Sequence, residues 1–397
     1  MGKKNNFIVA GIDAGNNSIK LNLNEGQTYN YENIFCERNN DKLTSQYKMN
    51  GIDQVNKYSL KDYLDVEVSF DNEVHSFLFG EQAKENKTLI SERDNKYKST
   101  DMQLVMNSIV ALANTIISEK NSSEWTEKLS VDVGISVGLP FHEYQIDGAV
   151  EDYKNNFLKE FTVKFLNPSY PVKEVKLNVK KVDVDIEGYA AIRQILFEQG
   201  YYDKSVDEIR SKVASIIDIG CYSVDIVSGI FKKKIDEEGE VYPAFTTIND
   251  ICDGITHGVG TAMDNVILSL TRKYAREIGQ HRKITRQEIL EAAKRDNILV
   301  GTKDISIEPF YTEECTKLGR NIGEKYVQLM LSGGYKDSLL KIYIAGGGAL
   351  TDIVMNSLRE VLKEENFNLD SIEIYKNPIF ANAKGYYGIA SVNLIEE

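Results

Sequence analysis

The sequence predicts an α/β fold in which one strand–turn–strand unit is used twice. Three observations lead there. Strand-like and helix-like stretches alternate along the chain, the same apolar-run-then-polar-turn pattern occurs at two distant places, and 397 residues exceed what one ordinary core accommodates.

The first occurrence is residues 7–12, a short apolar run that meets Asp13 and the turn Ala14, Gly15, Asn16, Asn17, Ser18 before the alternating stretch Ile19, Lys20, Leu21, Asn22, Leu23. The second is residues 213–217, followed by Asp218, Ile219, Gly220, Cys221, Tyr222, Ser223 and then Val224, Asp225, Ile226, Val227. Both read as strand, tight turn, strand. Their separation is far too long for a solenoid repeat, so two halves built alike are expected. Between them, residues 30–98 are rich in Asn, Lys, Asp and Tyr and read as an inserted, surface-heavy subdomain. A helix starting at Ser99 or Thr100 carries Leu104, Val105, Ile109, Leu112, Ile116 and Ile117 on one face. Strands are predicted at 131–137, broken by Pro140, and at 176–186, with Glu187 at the end. Helices follow at 145–161 and 188–199.

In the second half, Lys232, Lys233 and Lys234 with the acidic run at 236–240 predict a solvated hairpin tip. Helices are expected over 262–278, after a capping box formed by Thr285 and Glu288, and over 313–331 and 351–364. The strand 340–345 runs into Gly346, Gly347 and Gly348. The expected division is a first lobe of 1–186, a second of 187–375 with a helical subdomain at 255–335, and a segment 376–397 that returns to the first lobe.

Composition narrows the function. A formal charge of −13 disfavours direct nucleic-acid binding, which needs a basic surface, although an acidic protein can reach DNA through a basic adaptor. The start lacks a secretory signal, no apolar run spans a membrane, and neither end carries a strongly amphipathic helix. Cys36, Cys221, Cys252 and Cys315 are scattered without the ligand pairs of zinc sites and fit reduced thiols, so the expected compartment is the cytoplasm.

Both turns carry what a polyphosphate site requires: backbone N–H groups, small residues and a carboxylate for Mg²⁺. The first offers Asp13, Gly15, Asn16, Asn17 and Ser18, and the second Asp218, Gly220 and Ser223. Each Asp and Gly alone would equally build a β-turn, and Lys20 alone would read as a solvated strand residue. The three glycines remove every Cβ from a strand-to-helix turn and favour a nucleotide contact over a merely flexible turn. Gly258 and Gly260 can bring a helix N-terminus toward the same ligand, whereas His257 beside them reads as structural. No P-loop or dinucleotide fingerprint is present.

Together these segments resemble the actin, sugar-kinase and heat-shock chaperone ATPase superfamily, with its duplicated ribonuclease H-like, actin-like fold of two lobes around a nucleotide cleft. The residues are Asp13 to Lys20, Asp218 to Asp225, Ile344 to Ala349, the connecting stretch with Glu187, and Asn382, Ala383, Lys384, Gly385, Tyr386. Within the superfamily the chain is most similar to the ParM-type actins that segregate bacterial plasmids. Cys221 and Tyr222 stand where relatives often carry glycine and threonine. The resemblance implies ATP, or GTP, with Mg²⁺; Asp13 and Asp218 at the metal and in catalysis; Lys20 on a phosphate; and Glu187 orienting the attacking water. Asp183 and Asp185 are rivals for that last role, and a solvated helix cap is the plain alternative for Glu187.

The expected function is therefore a filament-forming ATPase whose polymer is weakened by hydrolysis, with copies of itself and an adaptor protein on plasmid DNA as partners, and with no membrane. A small-molecule kinase of sugar or acetate type is the alternative, although no sugar-binding constellation is visible. A chaperone would need a substrate-binding domain, and a membrane-attached actin an amphipathic terminus.

Overall fold

A computed structural model describes residues 7–24, 27–38, 60–84, 102–120, 122–168, 170–235, 239–279, 282–300 and 302–394. The chain divides into two compact units, Met1–Ile186 with Asn382–Glu397, and Glu187–Ala381.

The first unit is built on a nine-stranded sheet. Its opening hairpin pairs β1 (Phe7–Ala14) antiparallel with β2 (Ser18–Asn24), which pairs with β3 (Gln27–Glu32). Short β4 (Phe35–Glu37) lies at the far edge beside β6 (Glu73–Phe79), which forms a hairpin with β5 (Leu64–Phe70). On its other side β1 runs parallel to β7 (Lys128–Leu139). From β7 the sheet continues to β9 (Glu174–Ile186), and β8 (Glu160–Phe165) joins β9 to β5. Helix α1 (Gln103–Glu119) supplies Leu104, Val105, Ile109, Leu112, Ile116 and Ile117 to one continuous core with the inner residues of these strands. Each such side chain contributes about 1.5–3 kcal/mol on burial. The start proposed for this helix at Ser99 or Thr100 lies outside the described residues. Between β7 and β8 the long helix expected at 145–161 is α2 (Ala149–Phe157), preceded by a separate short turn of helix, because Gly148 takes φ +80°.

Of the inserted subdomain expected at 30–98, the described residues 30–38 and 60–84 extend the main sheet through β5, β6 and β4, and the rest lies outside the described residues. Alternation from Val66 onward explains the extension: Leu64, Val66 and Val68 are wholly buried while Glu67 and Ser69 are more exposed, and Asp65, also buried, pairs with Arg38.

The second unit starts after β9 with α3 (Tyr189–Glu198) and repeats the opening hairpin: β10 (Val213–Ile219) against β11 (Val224–Ile235), which pairs with β12 (Val241–Thr247) and β13 (Asp253–Ile255). The three lysines lie exposed at the end of β11, as a solvated hairpin requires. Helix α4 (Val259–Lys273) follows, then α5 (Arg286–Ala292) with both hydrogen bonds of the Thr285–Glu288 capping box. An unanticipated hairpin of β14 (Asn297–Val300) and β15 (Lys303–Ser306) precedes α6 (Glu308–Ser332). Then β16 (Leu339–Ala345) runs parallel to β10, α7 (Asp352–Glu364) packs on α6, and β17 (Ile372–Ile374) lies parallel to β16.

Finally α8 (Ala381–Asn393) belongs to the first unit. The return falls at Asn382, later than 376, because Ile374 pairs with Ile344 in the second unit's sheet and the Gly346 N–H donates to Pro378 O. The order β3-β2-β1-β7-β9 matches β12-β11-β10-β16-β17 in sequence and in strand direction. The duplication seen in two turns thus extends over five strands of each sheet.

Candidate functional site

Each unit carries a candidate phosphate-binding turn, in its opening hairpin. In the first unit, β1 is apolar and buried up to Ala14, which brings Asp13 to the end of a rigid strand. Register places Lys20 directly across from Asp13, and Lys20 Nζ donates to Asp13 Oδ2 at 2.9 Å. The seven-residue spacing is therefore the spacing of a facing pair across this hairpin. Side-chain exposures of 19% for Lys20 and 10% for Asp13 rule out a simply solvated lysine. Gly15 is required by close approach: a Cβ there would lie 2.7 Å from Ser18 O and 3.3 Å from Lys20 Nζ. Behind the turn stands Asn33, whose Nδ2 donates to Gly15 O at 3.0 Å and Asn16 O at 3.3 Å, while its backbone N–H donates to Asn17 O at 3.0 Å. Asn16 Oδ1 is buried without a hydrogen-bond partner.

In the second unit, Gly220 N–H donates to Ser223 O at 2.9 Å and closes a tight turn with Cys221 and Tyr222 at its tip. The Ser223 hydroxyl donates to Asp225 Oδ2 at 3.2 Å. The bulky Tyr222 is accommodated outside the turn, where the Arg286 guanidinium lies 4.6 Å from its ring centre. Arg286 in turn makes a forked pair with Asp264, at 2.6 and 2.5 Å.

Two further segments converge on this turn. Val259 N–H donates to Gly220 O at 3.1 Å and Gly260 N–H to Cys221 O at 2.7 Å, so the start of α4 is capped by the turn itself. A Cβ at Gly258 would overlap Gly220 O, which explains that glycine by packing against the turn. His257 is exposed beside it. The glycine triple closes the other side, since β16 places Ala345 across from Asp218. Gly346 has φ +79°, and a Cβ there would overlap Asp218 Oδ1 and Ile219 O; one at Gly348 would overlap Ile219 Cγ2. Gly347 differs, for a Cβ built there meets no heavy atom within 4 Å. The triple leads into a 3₁₀ turn, Gly347–Leu350, and not directly into a helix; α7 begins only at Asp352.

Glu187 follows β9 and precedes Gly188, whose φ of +85° turns the chain into α3. At 7% exposure Glu187 is buried, not solvated. Of its rivals, Asp183 accepts a bond from Asn393 Nδ2 at 3.1 Å, and Asp185 Oδ1 accepts from Ile186 N–H at 2.7 Å.

The paired sheets and their turns are those of an actin-like fold. Residues 11–189 match the family model described as the N-terminal domain of actin-like proteins. A 15-stranded ParM filament from Clostridium botulinum matches with a TM-score of 0.69 at 21% identity, over 97% of this chain and 99% of that one. The actin-like protein Alp7A matches at 0.67 and 17%, over 98% and 97%. An archaeal actin homologue in complex with ADP matches at 0.62 and 17%, over 97% and 99%. None of the curated protein sequences matches. The chain shares the actin-like fold of these proteins. No helix among the described residues is long and apolar enough to cross a membrane.

Proposed function

We propose that the chain is an ATP-dependent, filament-forming actin homologue that moves plasmid DNA, and that hydrolysis destabilises its polymer. One observation carries the nucleotide part: each unit ends its opening strand in a carboxylate, Asp13 or Asp218, and follows it with a glycine turn. Such turns suit phosphate, and the carboxylate beside each suits Mg²⁺, which binds through carboxylates together with phosphate oxygens and water. Gly347, open to approach, suits the nucleoside part of ATP or GTP. Lys20 is the phosphate's point charge, shared with Asp13 until nucleotide arrives. Glu187 is the acceptor that orients the attacking water, while Asn16, Asn17, Ser18, Gly220 and Ser223 line the turns.

Likeness to a ParM filament supports self-assembly, and the formal charge of −13 supports a basic adaptor on the DNA in place of direct contact. Light scattering with ATP and Mg²⁺, followed by negative-stain microscopy, tests the proposal. Filaments that form with ATP, shorten after hydrolysis and persist with an analogue that keeps its γ-phosphate are the expected result. A protein that never polymerises and converts ATP to ADP only when a sugar or acetate is added, passing the γ-phosphoryl group to it, would be a kinase instead.

A further inference from the structure

We infer that Asn33 is a positioning residue for the first turn, holding its backbone amides toward the phosphates of the ligand. This rests on the nucleotide reading above. Asn33 is 5% exposed and gathers three successive carbonyls: its Nδ2 holds those of Gly15 and Asn16, and its backbone N–H holds that of Asn17. No described peptide bond is cis, so each following N–H points opposite to the carbonyl before it. The N–H groups of Asn16, Asn17 and Ser18 are thereby turned away from Asn33 together. Successive N–H groups aimed one way form an anion-binding nest.

The sense of the Asn33 amide is fixed by a chain of donors. Gln103 Nε2 donates to Asn107 Oδ1 at 2.8 Å, which leaves Asn107 Nδ2 to donate to Asn33 Oδ1 at 2.7 Å. Asn33 then receives at oxygen and gives at nitrogen. The reverse orientation would set its oxygen against two carbonyl oxygens and its NH₂ against that of Asn107. Asn107 is wholly buried, so this direction is enforced where water does not compete.

The second unit supplies an independent observation. With Asp218 set on Asp13, Gly220 and Cys221 correspond to Gly15 and Asn16. Their carbonyls are also tied back by two donors, here the N–H groups of Val259 and Gly260. The same two carbonyls are held in both units, by a helix start in one and by a side-chain amide in the other. Shared ancestry of the hairpins does not explain that, since the donors are unrelated. A common demand on the turns, carbonyls back and amides forward, does. The first unit meets the demand with a side chain, so there a substitution can remove it.

Three variants test the inference: Asn33→Ala, the isosteric Asn33→Asp, which cannot donate, and Asn107→Asp, which leaves Asn33 in place but frees its amide to turn over. Affinities for Mg²⁺-ATP and for adenosine are measured beside the melting temperature. A residue that only supports the fold would alter both affinities in step with stability. The expected result is a loss of about tenfold or more in ATP affinity for the Asn33 variants, with adenosine affinity unchanged and a smaller ATP loss for Asn107→Asp. Unchanged ATP affinity in folded variants, or equal losses for ATP and adenosine, overturns the inference. Should Asn33→Ala fail to fold, Asn33→Asp and Asn107→Asp decide it on the same terms. An unmodified protein that binds neither ATP nor inorganic triphosphate would instead refute the nucleotide reading, and this one with it.

Discussion

Replacing Gly347 by valine separates a glycine kept for a ligand from glycines kept for packing. At Gly346 the backbone sits at φ +79° and a Cβ would overlap Asp218 Oδ1; at Gly348 it would overlap Ile219 Cγ2 and lie 2.7 Å from Val259 Cγ2. Overpacking of this kind typically costs about 1–3 kcal/mol, and the extended positive-φ backbone of Gly346, at ψ 170°, adds roughly 1–3 kcal/mol. Gly346→Ala and Gly348→Ala should therefore lower the melting temperature by several degrees. Gly347 has no neighbour within 4 Å of a built Cβ, so Gly347→Val should stay within about 0.5 kcal/mol of the parent. Its branched side chain projects into the space assigned to the nucleoside, and ATP affinity should fall by about tenfold or more, ~1.4 kcal/mol. Thermal melting and titration with a fluorescent ATP analogue measure the two effects separately. Valine at 347 with parental affinity would make this turn structural only. Destabilisation as large as that of Gly348→Ala would show that the open space beside Gly347 is not there.

Glu187→Gln should retain ATP binding but turn over about 10²–10⁴-fold more slowly, giving filaments that persist; single-turnover hydrolysis with light scattering checks both. Normal turnover would move the water-orienting role to another carboxylate. Asp13→Ala and Asp218→Ala should each weaken binding of Mg²⁺-nucleotide, read by titration with and without the metal, and parental affinity in both would remove the two turns from the site. Burial pushes the thiols of Cys252 and Cys315 up from 9.0 to about 11, so iodoacetamide at pH 8 should modify the half-buried Cys36 and Cys221 first. Mass spectrometry of timed samples reads the order. The unfolded chain ionises these thiols before the folded one does, so their contribution to stability is intact below pH 9.0 and declines as pH rises toward 11.

What the sequence displayed was local. The two hairpin turns, the capping box at Thr285 and the helix bearing Leu104 to Ile117 are written in neighbouring residues, and the structure has them. The bond between Asp13 and Lys20 was half legible, because the spacing was visible while the strand register that makes them face each other was not. Asn33 left no signal at all. An asparagine after a strand is ordinary, and its partners on the first turn and at Asn107 are set by tertiary packing. The glycine triple was legible as a demand for close approach but not as to what approaches. Two of the three answer to Ile219 and Asp218, more than a hundred residues earlier in the chain. The strands β5 and β8 were obscured because polar residues between their buried positions look surface-like, and β6 because its first half, Glu73 to Ser76, is not buried.

The docking of α8 has a consequence for how the protein is made. A Cβ at Gly11 on β1 would overlap Ala383 O and Tyr387 N, and one at Gly138 on β7 would overlap the Tyr386 hydroxyl, so two central strands of the first unit are shaped to receive α8. Synthesis delivers that helix only after the whole of the second unit. The second unit, continuous from Glu187 to Ala381, has all its residues while the strands carrying Gly11 and Gly138 still lack their covering helix. The unit that emerges first is thus the one completed last, and a ribosome that stalls short of Asn382 leaves an incompletely covered apolar sheet as a site for association with other nascent chains.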